Sequence, residues 1–279
     1  MHKRTIRVKV LLLALFSTSV VAGYVQDRAA AHRLKHSRKY EKALAAFTEL
    51  ARQDQISNFQ QADALEQAAD CARKMENFDL ASELARKIPI ETLAKSVQMR
   101  NLAAQRKYEE LLKQFKGEAL GSWPVYDAVD AYLARGRAYF ETGQGEEAEE
   151  DLRNAVSLYS ESMAKAQLQR ARYVLGLNYE KNLNDTDQAL EVYLGTVRMG
   201  QHGGDGSTFF RHVLNAARIL RKKGKYDQAE ATLHKVRGGI DARSGWWKGV
   251  FLCALGRMKA DAGETRQALD MYRKVLTGE

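Results

Sequence analysis

One pattern of residues recurs seven times after residue 24 and limits the folds that this chain can adopt. In each copy an anchor residue, usually small, follows a short polar or glycine-containing turn, and a bulky residue often stands four positions later, as in Ala148 and Leu152. Residues at positions i and i+4 lie on one face of a helix, so each copy predicts a helix with a small and a large side chain facing inward. The anchors are Ala43, Ala81, Leu111, Ala148, Ala189, Ala229 and Ala268.

A second small residue stands about twelve positions before most anchors, as Gly136 and Gly176 do. Small residues at matched places on two helices let the helix axes approach closely, which predicts a chain of helical hairpins. The turn between the two helices is expected to supply the left-handed backbone that ends the first helix. The residues expected to do so are Gly143, Asn77, Asn184, Gly224 and Gly263.

The composition favours an all-α fold. Only two of the 279 residues are proline, and the abundant Ala, Leu, Glu, Lys, Arg and Gln have high helix propensity. Cys71 and Cys253 lie 182 positions apart, and distant repeats do not touch in a stacked array. We therefore expect both cysteines to be small hydrophobic residues on inner helix faces rather than disulfide partners.

This pattern resembles the tetratricopeptide repeat, whose signature is W-x2-L-G-x2-Y followed by A-x3-F and a proline. The best copy here contains Tyr132, Arg135, Gly136 and Tyr139, then Ala148 and Leu152. The closing proline is missing, and the anchors are 30 to 41 residues apart instead of the family's 34. The resemblance implies a right-handed superhelical solenoid of helix-turn-helix repeats, with degenerate hairpins at residues 24–128 and regular repeats at 129–279.

The N-terminus has the plan of an export signal. Four basic residues precede an apolar run that starts at Val10 and continues to Val21, and the small residue Ala22 precedes Gly23. We expect residues 1–22 to be a signal peptide, or an uncleaved anchor that tethers the chain to the inner membrane through residues 8–22. In either case the body would lie outside the cytoplasm, in the periplasm or secreted.

The charge balance argues against a nucleic-acid partner. The full chain carries 44 basic and 35 acidic residues, a net charge of +9. Four of the basic residues and none of the acidic ones lie in residues 1–22, so the remaining chain carries only +5. This excess is mild beside the concentrated basic surface of nucleic-acid-binding domains.

No catalytic motif stands out, and the sequence predicts neither an enzyme, nor a cofactor, nor a metal site. His32 and His36 share a helix face, but no third ligand accompanies them at a typical spacing. The GGDG segment at 203–206 lacks the lysine of a phosphate-binding loop. Trp246 and Trp247 are expected to pack against the preceding repeat, with contact to a partner as the alternative.

The tetratricopeptide resemblance also implies a binding surface, because the first helix of each hairpin lines a concave groove in that family. The earlier repeats place mixed charges there: Glu66, Asp70, Arg73 and Lys74. The later repeats place a mainly basic set there: Arg137, Phe140, Tyr173, Lys181, Arg211, Arg218, Arg221, Lys222 and Arg257. A groove with one sign of charge concentrates ligands of the other sign.

The function expected from these observations is a non-catalytic scaffold outside the cytoplasm that binds an acidic segment of a protein or peptide in this groove. One alternative is an accessory factor that recruits enzymes during assembly of the envelope or of secretion machinery. A second alternative, disfavoured by the export signal, is a nucleic-acid-binding helical repeat.

Overall fold

A computed structural model describes residues 23–161, 165–200, 206–236 and 245–278. The predicted signal or anchor at residues 1–22 lies outside this range, as does most of the GGDG segment at 203–206. All regular structure in the described residues is helical, so the predicted all-α fold is confirmed. No described helix has both the length and the apolar composition needed to cross a bilayer.

The chain divides into two compact units after Arg135. The helices of the first unit are joined by short turns and pair into antiparallel hairpins. They are α1 (residues 23–36), α2 (Tyr40–Leu50), α3 (Asn58–Lys74), α4 (Phe78–Arg86), α5 (Glu91–Ala104), α6 (Tyr108–Phe115) and α7 (Val125–Glu141), within which the division falls. A short 3-10 helix, Leu120–Ser122, precedes α7.

The second unit continues the same alternation of first and second helices. Its helices are α8 (Gly145–Glu161), α9 (Lys165–Lys181), α10 (Thr186–Met199), α11 (Gly206–Lys222), α12 (Tyr226–His234), α13 (Gly245–Asp261) and α14 (Thr265–Thr277). α9, α11 and α13 are first helices, and each packs against the second helix that follows it.

The seven anchor residues lie near the start of the second helices, and their burial confirms the hairpin alignment. All are fully buried except Ala268, which is 3% exposed. The same positions are buried in the degenerate hairpin α5–α6, where Met99 and Leu111 replace the small residues and are both fully buried. The aligned pattern therefore identifies the core positions of every hairpin.

Glycines on the first helices mark the points of closest approach. A Cβ atom added at Gly136 would lie 2.9 Å from Cγ of Leu152, and one at Gly256 would lie 2.6 Å from Cε1 of Tyr272. Real Cβ atoms do not approach other heavy atoms so closely, so a larger residue would push the two helices apart. The small residues of the repeat pattern are thus required by packing.

One turn assignment from the sequence is wrong. Asn77 was expected to supply the left-handed residue between α3 and α4, but that residue is Glu76, with φ of 59°. Asn77 is instead the N-cap of α4, and its side chain accepts a hydrogen bond of 3.2 Å from the backbone N–H of Leu80. Asn is a strong N-cap residue, which explains why the left-handed conformation falls one position earlier. Gly143, Asn184, Gly224 and Gly263 have positive φ as predicted.

Both cysteines are free thiols, as the sequence predicts. Cys71 is fully buried in α3, and burial raises the pKa of its thiol to about 11. Cys253 in α13 is half-buried. Cys71 therefore behaves as a small core residue with little thiolate at neutral pH.

Candidate partner-binding surface

The predicted binding surface of the second unit lies on its first helices, α9, α11 and α13. Two of its arginines are engaged within the protein. Nη2 of Arg218 in α11 lies 2.5 Å from Oε2 of Glu180 in α9, and Nη1 of Arg221 donates to the Asp261 carboxylate in α13. These two guanidinium groups link each first helix to the next, and their charge is already compensated.

Four other cations on this surface remain exposed: Lys181, Arg211, Lys222 and Arg257. None of these four has an acidic partner within the described residues. Two of the four lie over aromatic rings. The guanidinium carbon of Arg211 is 5.8 Å from the ring centroid of Tyr173, and Nζ of Lys181 is 5.9 Å from that of Phe140. We call these four residues the exposed cation set.

Arg137 lies at the N-terminal end of this surface and contributes less free charge. Its Nε is 3.7 Å from Oε1 of Glu141, one helical turn away, and the arginine side chain is 45% exposed. Exposed pairs of this kind contribute little to stability.

Tyr173 is held by a buried aromatic cluster beneath the surface. Its ring makes an edge contact with His212, at 5.6 Å between centroids, and His212 makes a second edge contact with Tyr193. His212 is fully buried, and its Nε2 lies 2.9 Å from the carbonyl oxygen of Gln169. Since a carbonyl only accepts hydrogen bonds, Nε2 carries the proton. Burial lowers the pKa of His212 to about 4, so the ring is neutral at pH 7.

The two adjacent tryptophans have different environments. Trp247 packs its ring edge-on against Phe210, at 4.6 Å between centroids, and is half-buried. Trp246 stacks edge-on against Trp247 but is 65% exposed. The predicted packing role thus describes Trp247, and Trp246 is free to contact another molecule.

In the first unit the corresponding surface is a compensated network of charges. Nη2 of Arg100 is 2.6 Å from Oε1 of Glu66, and Nη1 of Arg100 is 3.1 Å from Oδ2 of Asp130. Lys35 and Arg73 both contact the Asp70 carboxylate. Burial acts to raise the pKa of Asp70, but these two cations outweigh it and lower that pKa to about 2. Lys74 is exposed.

The acidic partners of Arg218 and Arg221 were not predicted from the sequence, although the repeat length contains the signal for them. Arg218 and Glu180 are 38 residues apart, and Arg221 and Asp261 are 40 residues apart. Both separations fall within the anchor spacing of the repeats, so the paired residues occupy similar places on successive first helices. An alignment of the first helices for opposite charge would have paired them.

The described residues hold no group of three or more His, Cys, Asp or Glu side chains placed to bind a metal ion. His32 and His36 have ring centroids 6.3 Å apart, but His32 packs edge-on against Phe47 and is part of the apolar contact between α1 and α2.

Comparison with known proteins agrees with this architecture. A family model for the tetratricopeptide repeat matches residues 129–162, which contain the best sequence copy. No curated protein matches the sequence. Among solved structures, the apo form of RapI aligns with 91% of this chain and 76% of its own, at 12% identity and a TM-score of 0.67. BtubC from P. vanneervenii aligns with 91% of this chain and 90% of its own, at 15% identity and a TM-score of 0.51.

A third structure, the C-terminal part of a TPR repeat-containing protein from Cytophaga hutchinsonii, is 12% identical to this chain. It aligns with 90% of this chain and 95% of its own, with a TM-score of 0.50. At such identities the likeness establishes the fold. The chain contains a tetratricopeptide repeat and has the fold of tetratricopeptide-repeat proteins, which confirms the resemblance seen in the sequence.

Proposed function

We propose that the chain is a non-catalytic scaffold that binds an acidic segment of a protein or peptide on the first helices of its second unit. The fold supports a binding role, because stacked repeats create extended binding surfaces. The observation that carries the proposal is the exposed cation set, Lys181, Arg211, Lys222 and Arg257. These four residues keep their charge while their neighbours Arg218 and Arg221 are engaged within the protein.

Aromatic support adds to this argument. An Arg or Lys held over an aromatic face gains about 0.5–1 kcal/mol at an exposed site, and it loses less side-chain entropy when a ligand fixes it. Arg211 over Tyr173 and Lys181 over Phe140 are held in this way. They are the cations best prepared to receive a carboxylate.

We place this function outside the cytoplasm. The support is the sequence of residues 1–22, with four basic residues before an apolar run and a small residue before Gly23. N-terminal sequencing of the protein from the envelope fraction tests the placement. A new N-terminus near Gly23 indicates cleavage, an intact Met1 in the membrane fraction indicates an anchor, and recovery in the cytoplasm alone contradicts export.

A crosslinking pulldown from the same fraction tests the binding role. In the test variant Lys181, Lys222 and Arg257 are all changed to Gln. In the control variant Lys235, Arg266 and Arg273, exposed on or beside second helices, are changed to Gln, which removes the same charge. We expect partners to be lost from the test variant and kept by the control. Equal recovery by both variants would contradict the proposed surface.

The identity of the recovered molecules separates this proposal from its alternatives. Envelope or secretion enzymes among the partners would favour an accessory role in assembly. Nucleic acid would favour a nucleic-acid-binding repeat, which the modest charge of the chain after residue 22 disfavours.

A further inference from the structure

A groove of about 430 Å³ opens between α8, α9 and α10 in the second unit. Leu175 and Tyr179 of α9 form its buried floor, and Val156 and Val192 line its sides. This volume falls within the range of ligand-binding pockets, which are mostly apolar with a few placed polar groups. The groove shares α9 with the exposed cation set, but none of those four cations lines it, so the two surfaces are distinct.

Three arginines line the groove, and they differ in their partners. Arg153 is engaged by Glu149, whose Oε1 lies 2.7 Å from its Nε and also accepts a hydrogen bond from Tyr179. Arg172 and Arg198 have no acidic partner among the described residues. Glu191, an exposed acid on the lining, is paired with neither of them. Two cations of the groove are therefore uncompensated.

Arg172 is the more unusual of the two. It is half-buried, and its Nη1 contacts the sulfur of Met199, a side chain that is 43% exposed. Burial lowers the pKa of Arg172, with no acidic neighbour acting against it. A guanidinium that loses water without gaining a counter-charge is unfavourable, so the groove is arranged to receive an anion.

Gly195 supplies a separate observation. It lies in the interior of α10, where a glycine is less stable than alanine by about 1 kcal/mol. Packing does not require it, since the nearest heavy atom to an added Cβ is Nη2 of Arg198 at 3.9 Å. Gly195 lines the groove, and the missing side chain keeps that space open beside Arg198.

We propose that this groove is a second binding site, which takes a short peptide segment with alternating acidic and leucine-like side chains. A carboxylate binds between Arg172 and Arg198, because the planar guanidinium group suits carboxylate oxygens. An apolar side chain packs on Leu175 and Val192. This site goes beyond the proposed function, since its lining includes none of the exposed cation set and it can be tested separately.

The probe is a fluorescein-labelled hexapeptide of alternating Glu and Leu, and fluorescence anisotropy measures its binding to the full chain. We expect saturable binding that weakens at least tenfold in Arg172→Gln, and also in Gly195→Leu, which fills the groove without changing charge. The same peptide with Gln in place of Glu should bind at least tenfold more weakly. Arg273→Gln, at an exposed position of a second helix outside the groove, is the matched control and should bind the probe normally. Arg257→Gln is measured beside it and reports any binding of the probe to the exposed cation set.

The results distinguish binding in the groove from binding to the exposed cation set on the first helices. Absence of saturable binding, or equal binding by wild type, Arg172→Gln and Gly195→Leu, would overturn the second site. Weakening by Arg257→Gln but not by Arg172→Gln would assign the peptide to the first-helix surface instead. That result would support the proposed function while refuting this inference.

A stability measurement separates binding from a structural role for Arg172. Arg172→Met keeps the apolar stem and removes the uncompensated charge. We expect its Tm to equal or exceed that of wild type while binding of the probe is lost. A lower Tm would mean that the arginine stabilises the fold, and the inference would then fail.

Discussion

Arg218 and Glu180 are joined by a contact of 2.5 Å between Nη2 and Oε2, across 38 residues of sequence. The contact links α11 to α9, two successive first helices. Arg218, which the sequence predicts to contact a partner, therefore links two repeats instead. The exposed cation set has no such acidic partner in the described residues, and it defines the binding surface that we propose.

A charge swap tests this link. Arg218→Glu places two carboxylates together and should lower the free energy of unfolding by about 1 kcal/mol, since the pair is partly exposed. The double variant Arg218→Glu with Glu180→Arg should recover most of that loss. Urea denaturation of the three proteins measures it, and a double variant no more stable than the single one would show that the pair does not form.

Overpacking tests the register of the repeats. Gly136→Leu and Ala148→Leu should each lower the free energy of unfolding by roughly 1–3 kcal/mol, because both positions lie where α7 and α8 touch. Glu150→Leu, at an exposed position of α8, is the control and should change stability little. Wild-type stability in both test variants would place the hairpin contact elsewhere.

The left-handed residue at Glu76 predicts a stabilising substitution. At a φ of 59°, a residue with a Cβ atom is less favourable than glycine by about 1 kcal/mol. Glu76→Gly should therefore raise the free energy of unfolding by up to about 1 kcal/mol. Glu83→Gly, in the interior of α4, should lower it instead. Thermal denaturation of both variants provides the comparison, and a destabilised Glu76→Gly would contradict the assigned turn.

The buried His212 predicts acid sensitivity. Its pKa is about 4 when folded, against about 6.5 for an unfolded histidine, so the unfolded chain binds the proton more readily. The contribution of His212 to stability is complete above pH 6.5 and is lost as the pH falls towards 4, by up to about 3 kcal/mol.

The control for this effect is His212→Phe, which keeps a ring between Tyr173 and Tyr193 but cannot bind a proton. The free energy of unfolding of both proteins should be measured from pH 7 to pH 4. We expect the wild type to lose more stability than the variant over this range. Parallel curves would show that His212 does not remain neutral in the folded protein.

The hairpins could be predicted from sequence because their packing requires a periodic residue choice. Ala43 and Ala148 are small for the same steric reason, and so are Gly136 and Gly256. The turn at Glu76 could not be predicted, because Asn suits either the left-handed residue or the N-cap and only the structure shows which role it takes. The groove beside Arg172 was not predicted either, because its net charge depends on which arginines pair with acidic residues in the folded chain.

Photo-crosslinking in cells shows whether a partner lies against the exposed cation set. A benzoylphenylalanine placed at Arg257, on a first helix, is compared with one at Arg273, on a second helix; both positions are exposed. We expect a protein adduct from position 257 that weakens when Lys181 and Lys222 are also changed to Gln, and no such adduct from position 273. Adducts from position 273 alone, or an adduct at 257 indifferent to those two lysines, would contradict a partner bound on the first-helix surface.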